Sequence, residues 1–294
     1  MRAWLLCDWG TTNVRAWRVE DGVARAMASF PLGVSRIGSG RVEARLDTDV
    51  RPALDAEGLP VLLGGMAGSN LGWTAAPYVD CPATLGSLEA AVVRPAPGVW
   101  ISPGVRTRGA NHGPDVMRGE ELQVFGALAR TTEPRLLCLP GTHAKWVRVE
   151  HGRIIDFVTV MTGELFAVLN THSVLAAEGD PGDAAGFAAG LAAAGEGDNL
   201  SARLFGVRAR RLTGDLPPGQ EPAFLSGLLI GADVAAGPRL LGATTDMPVT
   251  LIGDTALCAA YRQALSGRGR ASEILDGDAA ALTGLMALAE RIHP

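Results

Sequence analysis

A short phrase that occurs twice constrains this chain more than any other feature. Leu5-Leu6-Cys7-Asp8-Trp9-Gly10-Thr11 and Leu136-Leu137-Cys138-Leu139-Pro140-Gly141-Thr142 agree at five of seven positions, 131 residues apart. With one residue dropped, the echo continues from Val19-Glu20-Asp21-Gly22 to Val149-Glu150-His151-Gly152. In the first copy an apolar run ends on an acid, a glycine follows, and two hydroxyls precede a second run of strand-formers. This predicts a β-hairpin whose turn suits phosphate. Gly10 lets the backbone turn tightly near an anion, Thr11 and Thr12 offer hydroxyl and amide donors, and Asp8 can hold a hydrated Mg²⁺. Taken singly, the pattern also describes an ordinary hairpin with a polar turn. Its recurrence predicts two similar halves, each offering one loop to a nucleotide in a cleft between them. The copies are not equivalent: Leu139 replaces Asp8, so only the first can hold a metal.

The 294 residues suffice for two domains with sizeable cores, and 19% charged against 47% hydrophobic residues describe a compact chain. A net charge of −5 argues against non-specific nucleic-acid binding, which needs a basic face, and leaves small molecules as the expected partners. Cys7, Cys81, Cys138 and Cys258 are far apart and lack metal-ligand spacing, which suits small buried hydrophobes in a reducing compartment. No leader pattern and no uninterrupted apolar stretch of bilayer length stand out, so the expected setting is the cytoplasm, as a monomer or homodimer.

Along the first half, strand-formers at 23–30 precede a helical stretch at 41–57. The apolar run 59–63 empties into Gly64-Gly65 and a loop carrying Ser69, Asn70 and Trp73. Loops at the carboxyl ends of sheet strands are where α/β folds place ligands, although a plain surface loop has the same composition. A strand at 99–102 and a loop with Arg106, Arg108 and His112 follow. Residues 115–128 then read as one helix, with Asp115, Glu120 and Glu121 in its opening turns where acids complement the helix dipole. The second half repeats the hairpin, adds a strand at 154–160, and continues through alanine-rich helical stretches from 165 to 237. Of these, 184–194 has the composition of a marginal surface helix. A buried strand ending at Gly253 and Asp254, a helix to 265, a strand at 272–277 and a closing helix at 278–292 complete it. Ala279-Ala280-Ala281 with Gly284 permits close helix packing there.

Neither G-x4-G-K-[ST] nor a G-x-G-x-x-G after the first strand is present, which excludes the P-loop and dinucleotide designs. His143 beside Thr142 suits a loop donor; His112, His151, His172 and His293 are scattered. Phosphoryl transfer remains, in which placement and charge neutralisation do most of the work and a carboxylate takes the acceptor's proton.

The duplicated hairpin, the intervening helix and the strand-glycine-helix near the end resemble the sugar kinase, actin and heat-shock ATPase superfamily. Its first phosphate motif falls at 6–17, connecting helix at 116–128, second phosphate motif at 137–149, adenosine motif at 251–261 and second connecting helix at 278–288. The wording D-W-G-T-T-N-V-R-A-W, G-M-A-G-S-N-L-G-W-T-A-A-P-Y-V-D-C-P-A, V-M-R-G-E-E, L-P-G-T-H-A-K-W-V, M-T-G-E-L-F and L-S-G-L-L-I-G resembles the 2-dehydro-3-deoxygalactonokinase family over nearly the whole chain.

The resemblance implies a two-domain, ribonuclease H-like (actin-like ATPase) α/β fold, divided here at 115/116 into a sugar-acid side and a nucleotide side. It implies ATP-dependent phosphorylation of the 6-hydroxyl of 2-dehydro-3-deoxy-D-galactonate in galactonate breakdown. Asp8 would organise Mg²⁺. Gly10, Thr11, Thr12, Asn13, Gly141, Thr142, His143 and Lys145 would hold the phosphates, and Gly253 would let adenine lie against the backbone. The base would be Glu120, then Glu121, with Asp115 a third choice. The arginine fork suits the substrate's carboxylate, and Arg36, Arg106, Arg108 and Arg118 are available, with Ser69, Asn70 and Trp73 facing the sugar. A non-catalytic sensor of sugar acid or nucleotide, a kinase for another sugar acid, and an ATPase acting on water are the alternatives.

Overall fold

The structure, a computed structural model, describes residues 3–195 and 199–292; His293 lies outside them. In chain order, β1 (Trp4–Trp9), β2 (Val14–Glu20) and β3 (Val23–Phe30) lead to α1 (Val34–Ile37). One winding stretch follows, α2 (Val42–Arg45) and α3 (Arg51–Ala53) joined by a π turn at Leu46–Val50. Next come β4 (Val61–Gly65), β5 (Tyr78–Asp80), α4 (Leu85–Ala90), β6 (Val93–Ala96), β7 (Val99–Ile101), β8 (Gly104–Thr107), β9 (Asp115–Met117) and α5 (Glu120–Leu128). The repeat supplies β10 (Arg135–Leu139), β11 (Ala144–Glu150) and β12 (Arg153–Val160). Four helices follow: α6 (Thr162–His172), α7 (Ala184–Ala194), α8 (Leu200–Thr213) and α9 (Glu221–Leu240). The chain closes with β13 (Val249–Gly253), α10 (Thr255–Ser266), β14 (Ser272–Asp276) and α11 (Gly277–Arg291).

The duplication is legible in the sheets. The first runs β3-β2-β1-β4-β7-β6 and the second β12-β11-β10-β13-β14, so five strands of each take the same order. In the first, β1 lies antiparallel to β2 in a hairpin and parallel to β4, while β10 lies parallel to β13 in the second. Central parallel strands are covered on both faces and need continuous apolar runs. Val61–Gly65 is accordingly buried at every position, and Leu136–Leu139 likewise. This strand order is that of the ribonuclease H-like fold.

The chain divides into two compact units: residues 1–133 with 149–156 and 276–294, and residues 134–148 with 157–275. The expected boundary at 115/116 therefore falls inside the first unit. The reason is α5, which packs on α11 so closely that a Cβ at Gly126 would overlap the carbonyl of Ala280, and one at Gly284 the carbonyl of Leu122. The small residues read as a close-packing signal do that. The first core lies between the sheet and the helical stretch 34–54, around Leu5, Val42, Leu46 and Leu63. The second unit has one core under its sheet, around Leu136, Trp146 and Tyr261, and another among α6 to α9.

Two local expectations fail. Residues 115–128 are not one helix: Asp115–Met117 pairs with β8, and α5 begins only at Glu120. Nor is α7 a marginal surface helix, because Gly190 and Phe187 pack it against the backbone of α9 at Phe224 and Gly227. Glycine and alanine hide that face from any hydrophobic pattern. The helix α9 is long and apolar enough to cross a membrane by length and composition, but 72% of its apolar window is buried by the protein itself.

Candidate active site

In the first unit the site grows from the end of β1. Asp8 is the penultimate residue of that strand, and Arg15, its register partner on β2, pairs with it. The other arm of the Arg15 guanidinium holds Asp278 at the start of α11. Across the sheet β4 ends at Gly65, whose φ of +72° suits glycine and where a Cβ would stand 2.6 Å from the carbonyl of Trp9 and 3.2 Å from the Asp8 carboxylate. Gly119, at φ +106°, caps α5 against the same place: its Cβ would lie 3.2 Å from Gly65 and 3.8 Å from Asp8 Oδ1. Two glycines thus bring the N-terminus of α5 onto the Asp8 carboxylate.

The adjacent acids at that helix start divide. The Glu120 carboxylate is half-buried and accepts the Arg118 N–H at 3.1 Å. Glu121 is fully buried; one oxygen accepts the Gly119 N–H at 2.6 Å and the other has no partner among the described residues. Burial first, and the neighbouring Glu120 charge second, push its pKa up from 4.5 to about 8, so it holds a proton at neutral pH. Asp115 sits on β9 with its carboxylate on the Val116 N–H.

Arg118 serves the neighbouring loop. It donates to the carbonyl of Ala76 at 2.7 Å and stacks 4.4 Å from the centre of the Tyr78 ring. Its Nε and Nη1 are buried without hydrogen-bond partners among the described residues. The hydroxyl of Ser69 is spent inside the loop, donating to Met66 O and accepting from Leu71 N–H, whereas Asn70 is exposed and Trp73 packs on the first core. Arg106 forms a two-pronged pair with Asp80 at 2.7 and 3.0 Å, and Arg36 is exposed on α1. His112 lies against Asp156 at 3.3 Å.

The first loop, 10–13, is braced by its own chain. Gly10 N–H donates to Asn13 O at 2.8 Å, and residues 33–35 reach back to the carbonyls of Gly10, Thr11 and Thr12. In the second unit the matching loop, 141–143, meets the start of α6. Glu164 N–H donates to Thr142 O at 3.0 Å, and the Glu164 carboxylate pairs with His143. A cavity of about 450 Å³ opens beside this loop, lined by Gly141, Thr142, Thr162, Gly163, Ser226, Tyr261 and apolar side chains. Among the described residues, none beyond its two chain neighbours comes within 4 Å of where a Gly141 side chain would stand. Lys145 is buried within β11, and Gly253, at φ +148°, ends β13.

Behind the cavity sits Asp233, which had no sequence signal beyond being a lone acid in an apolar helix. It accepts three hydrogen bonds, from Trp146 Nε1 at 2.6 Å and from the hydroxyls of Thr162 and Tyr261, each at 2.5 Å. Burial raises its pKa and the three donors oppose that. The acid ties β11, α6, α9 and α10 together and fixes two side chains of the cavity wall. Arg15 and Gly65 likewise have no site role in the sequence reading, though Arg15 falls inside the first phosphate motif at 6–17 and Gly65 ends the run at 59–65.

A Mg²⁺ ion takes one or two protein carboxylates and fills its other positions with water and phosphate oxygens. Asp8 fits as such a ligand, since Arg15 engages Oδ2 and Oδ1 faces the Gly65 and Gly119 backbones. Among the described residues no group of three His, Cys, Asp or Glu is placed to hold a metal.

A family model described as 2-keto-3-deoxy-galactonokinase matches residues 8–288. The chain is 37% identical over 292 residues to 2-dehydro-3-deoxygalactonokinase of Escherichia coli strain K12, covering 98% of each. Its backbone is similar to a crystal structure from Sinorhizobium meliloti described as a candidate 2-dehydro-3-deoxygalactonokinase, with a TM-score of 0.86, 33% identity and 99% of both chains covered. The activator of 2-hydroxyisocaproyl-CoA dehydratase from Clostridium difficile, solved with ADPNP, shares the fold at a TM-score of 0.51 and 14% identity, covering 98% of this chain and 95% of that one.

Proposed function

The chain belongs to the 2-keto-3-deoxy-galactonokinase family, and on that premise we propose that it transfers the γ-phosphoryl group of ATP to the 6-hydroxyl of 2-dehydro-3-deoxy-D-galactonate. The observation that carries the reading is the meeting of Asp8, Gly65 and Gly119 at the start of the helix bearing Glu120. Phosphoryl transfer asks little covalent chemistry of a protein; it asks for placement, neutralised charge and a proton acceptor.

Glu120 is the base. A base must have room for a proton, and the buried Glu121 already holds one at neutral pH, while Asp115 belongs to a strand. Asp8, fixed by Arg15, would hold Mg²⁺, which when bound neutralises charge on the phosphate oxygens. In each unit one loop, 10–13 in the first and 141–143 in the second, offers N–H and O–H donors that suit phosphate, with His143 oriented by Glu164. The nucleoside occupies the cavity beside Gly141, where Tyr261 and Thr162 are fixed by Asp233 and Gly253 ends the adjoining strand. Asn70 and the backbone of 66–78 face the sugar acid, and Arg118 locks that loop to the helix of the base. The four cysteines are free thiols, which suits the cytoplasm.

The test is ADP release coupled to a colour reaction, with Mg-ATP and either the galactonate acid or its gluconate epimer. Turnover on the galactonate acid, lost in Glu120→Gln, is expected. Turnover on neither acid, or ATP consumption that ignores the acid, would overturn the assignment.

A further inference from the structure

We propose that Gly33 and Gly163 are paired positioning residues, each giving up a side chain so that the segment after the third strand of its repeat can seat one phosphate loop. The inference deepens the kinase reading and rests on it.

The two glycines stand in register. Gly22 and Gly152 are 130 residues apart, and so are Gly33 and Gly163; each lies three residues beyond the last strand of its hairpin sheet, β3 ending at Phe30 and β12 at Val160. Backbone conformation does not demand glycine at either. Gly33 has φ −61° and ψ 157°, which any residue adopts, and Gly163 lies in the first turn of α6. Space demands it. A Cβ on Gly33 would overlap the backbone of Thr11 and Thr12, and one on Gly163 would stand 2.6 Å from Gly141 O and 2.8 Å from Thr142 Cα. These neighbours are backbone atoms and cannot swing aside as a flexible side chain does.

The close approach places donors under the loops. Gly33 N–H reaches Thr12 O at 3.0 Å, Val34 N–H reaches Gly10 O at 3.2 Å, and Ser35 gives Thr11 O both its N–H at 3.0 Å and its hydroxyl at 2.7 Å. In the second repeat Glu164 N–H reaches Thr142 O at 3.0 Å, and its carboxylate holds His143. A loop that binds an anion must keep carbonyl oxygens away from it, because they repel what the amides attract. The seat does this: it anchors four loop carbonyls with protein donors. A loop lifted off it would free those carbonyls and misplace the reacting phosphate, and small misplacements are costly in phosphoryl transfer.

The experiment compares Gly33→Ala, Gly163→Ala and Gly190→Ala. The last overlaps the backbone of Phe224 in the α7 and α9 pair, away from either loop, and controls for packing alone. Steady-state constants for both substrates, thermal melting, and calorimetric titration with a non-hydrolysable ATP analogue are read on each. Gly163→Ala should raise the ATP KM and the analogue Kd at least tenfold, with the sugar-acid KM within twofold. Gly33→Ala should lower kcat at least tenfold, and Gly190→Ala should lower only the melting temperature. Should either loop variant fail to fold, Ser35→Ala and Glu164→Gln carry the test, each expected to cost threefold or more in kcat or ATP KM without a change in melting. Loop variants that fold and keep wild-type constants, or mild variants that move melting alone, would overturn the proposal. The analogue titration reads the second seat independently of the acceptor, so a wrong sugar acid and a wrong seat give different results.

Discussion

Glu121 makes the stability of this protein depend on pH in a direction opposite to that of most carboxylates. Its side chain is fully buried, with one oxygen on the Gly119 N–H and the other unpartnered, and its pKa is raised from 4.5 to about 8. Between those values the folded chain keeps a proton that the unfolded chain has released. The contribution of this group to stability is therefore fully present below pH 4.5, is lost as pH rises through the window, and levels off above about 8. At about 1.4 kcal/mol for each tenfold change, the ceiling of the loss is about 5 kcal/mol. Glu121→Gln removes the titration while its amide oxygen keeps the Gly119 bond. The assay is urea denaturation of both proteins from pH 5 to 9 in matched buffers, where other groups cancel in the difference. At pH 5 the two midpoints should nearly coincide; by pH 8 the variant should lead. Even a third of the ceiling, at an m of about 3 kcal/mol/M, moves the midpoint by about 0.5 M. Midpoints that run parallel across the range would refute the buried, protonated state of Glu121 and reopen its claim to be the base.

Three further outcomes are expected. Asp8→Asn should lower kcat by about a hundredfold or more, with a stability change near 1 kcal/mol because Arg15 keeps Asp278; an unchanged kcat would remove the metal role. Asp233→Asn offers one oxygen to three donors and should cost about 2–4 kcal/mol. It should also raise the ATP KM several-fold, and an unaltered ATP KM would separate this acid from the cavity. Gly126→Ala pushes a methyl into the Ala280 carbonyl and should destabilise by about 1–3 kcal/mol in chemical denaturation, whereas a neutral change would show that α5 and α11 can part.

What the sequence disclosed was whatever repeats or alternates locally. The Gly10 and Gly141 phrases located both hairpins because strand, turn and strand are specified by neighbours in the chain, and the apolar runs at 59–63 and 249–254 marked the central strands observed at Val61–Gly65 and Val249–Gly253. What it hid was decided by distant partners. Asp115-Val116-Met117 suits a helix start by local rules, yet β8 takes it as a strand. Ser69 is polar and in a loop, but its hydroxyl closes that loop on Met66. Arg118 was one of four interchangeable arginines until the Ala76 carbonyl and the Tyr78 ring singled it out. A small residue such as Gly33 carries no chemistry to notice; only the atoms that crowd its missing side chain reveal its use.

The route of the chain also bears on how this protein is made. The first unit is assembled from three separate stretches, and its last piece, 276–294, contains α11, which packs on α5, α4, β1 and β4. During synthesis, then, the first sheet and α5 leave the ribosome well before the helix that covers them. Until then the faces of α5, α4, β1 and β4 that α11 covers stay open, while the second unit, whose last residue is Leu275, is free to fold. A nascent chain stopped before residue 277 would expose the apolar floor beneath α11, so a shortened product should be recognised and degraded as unfinished.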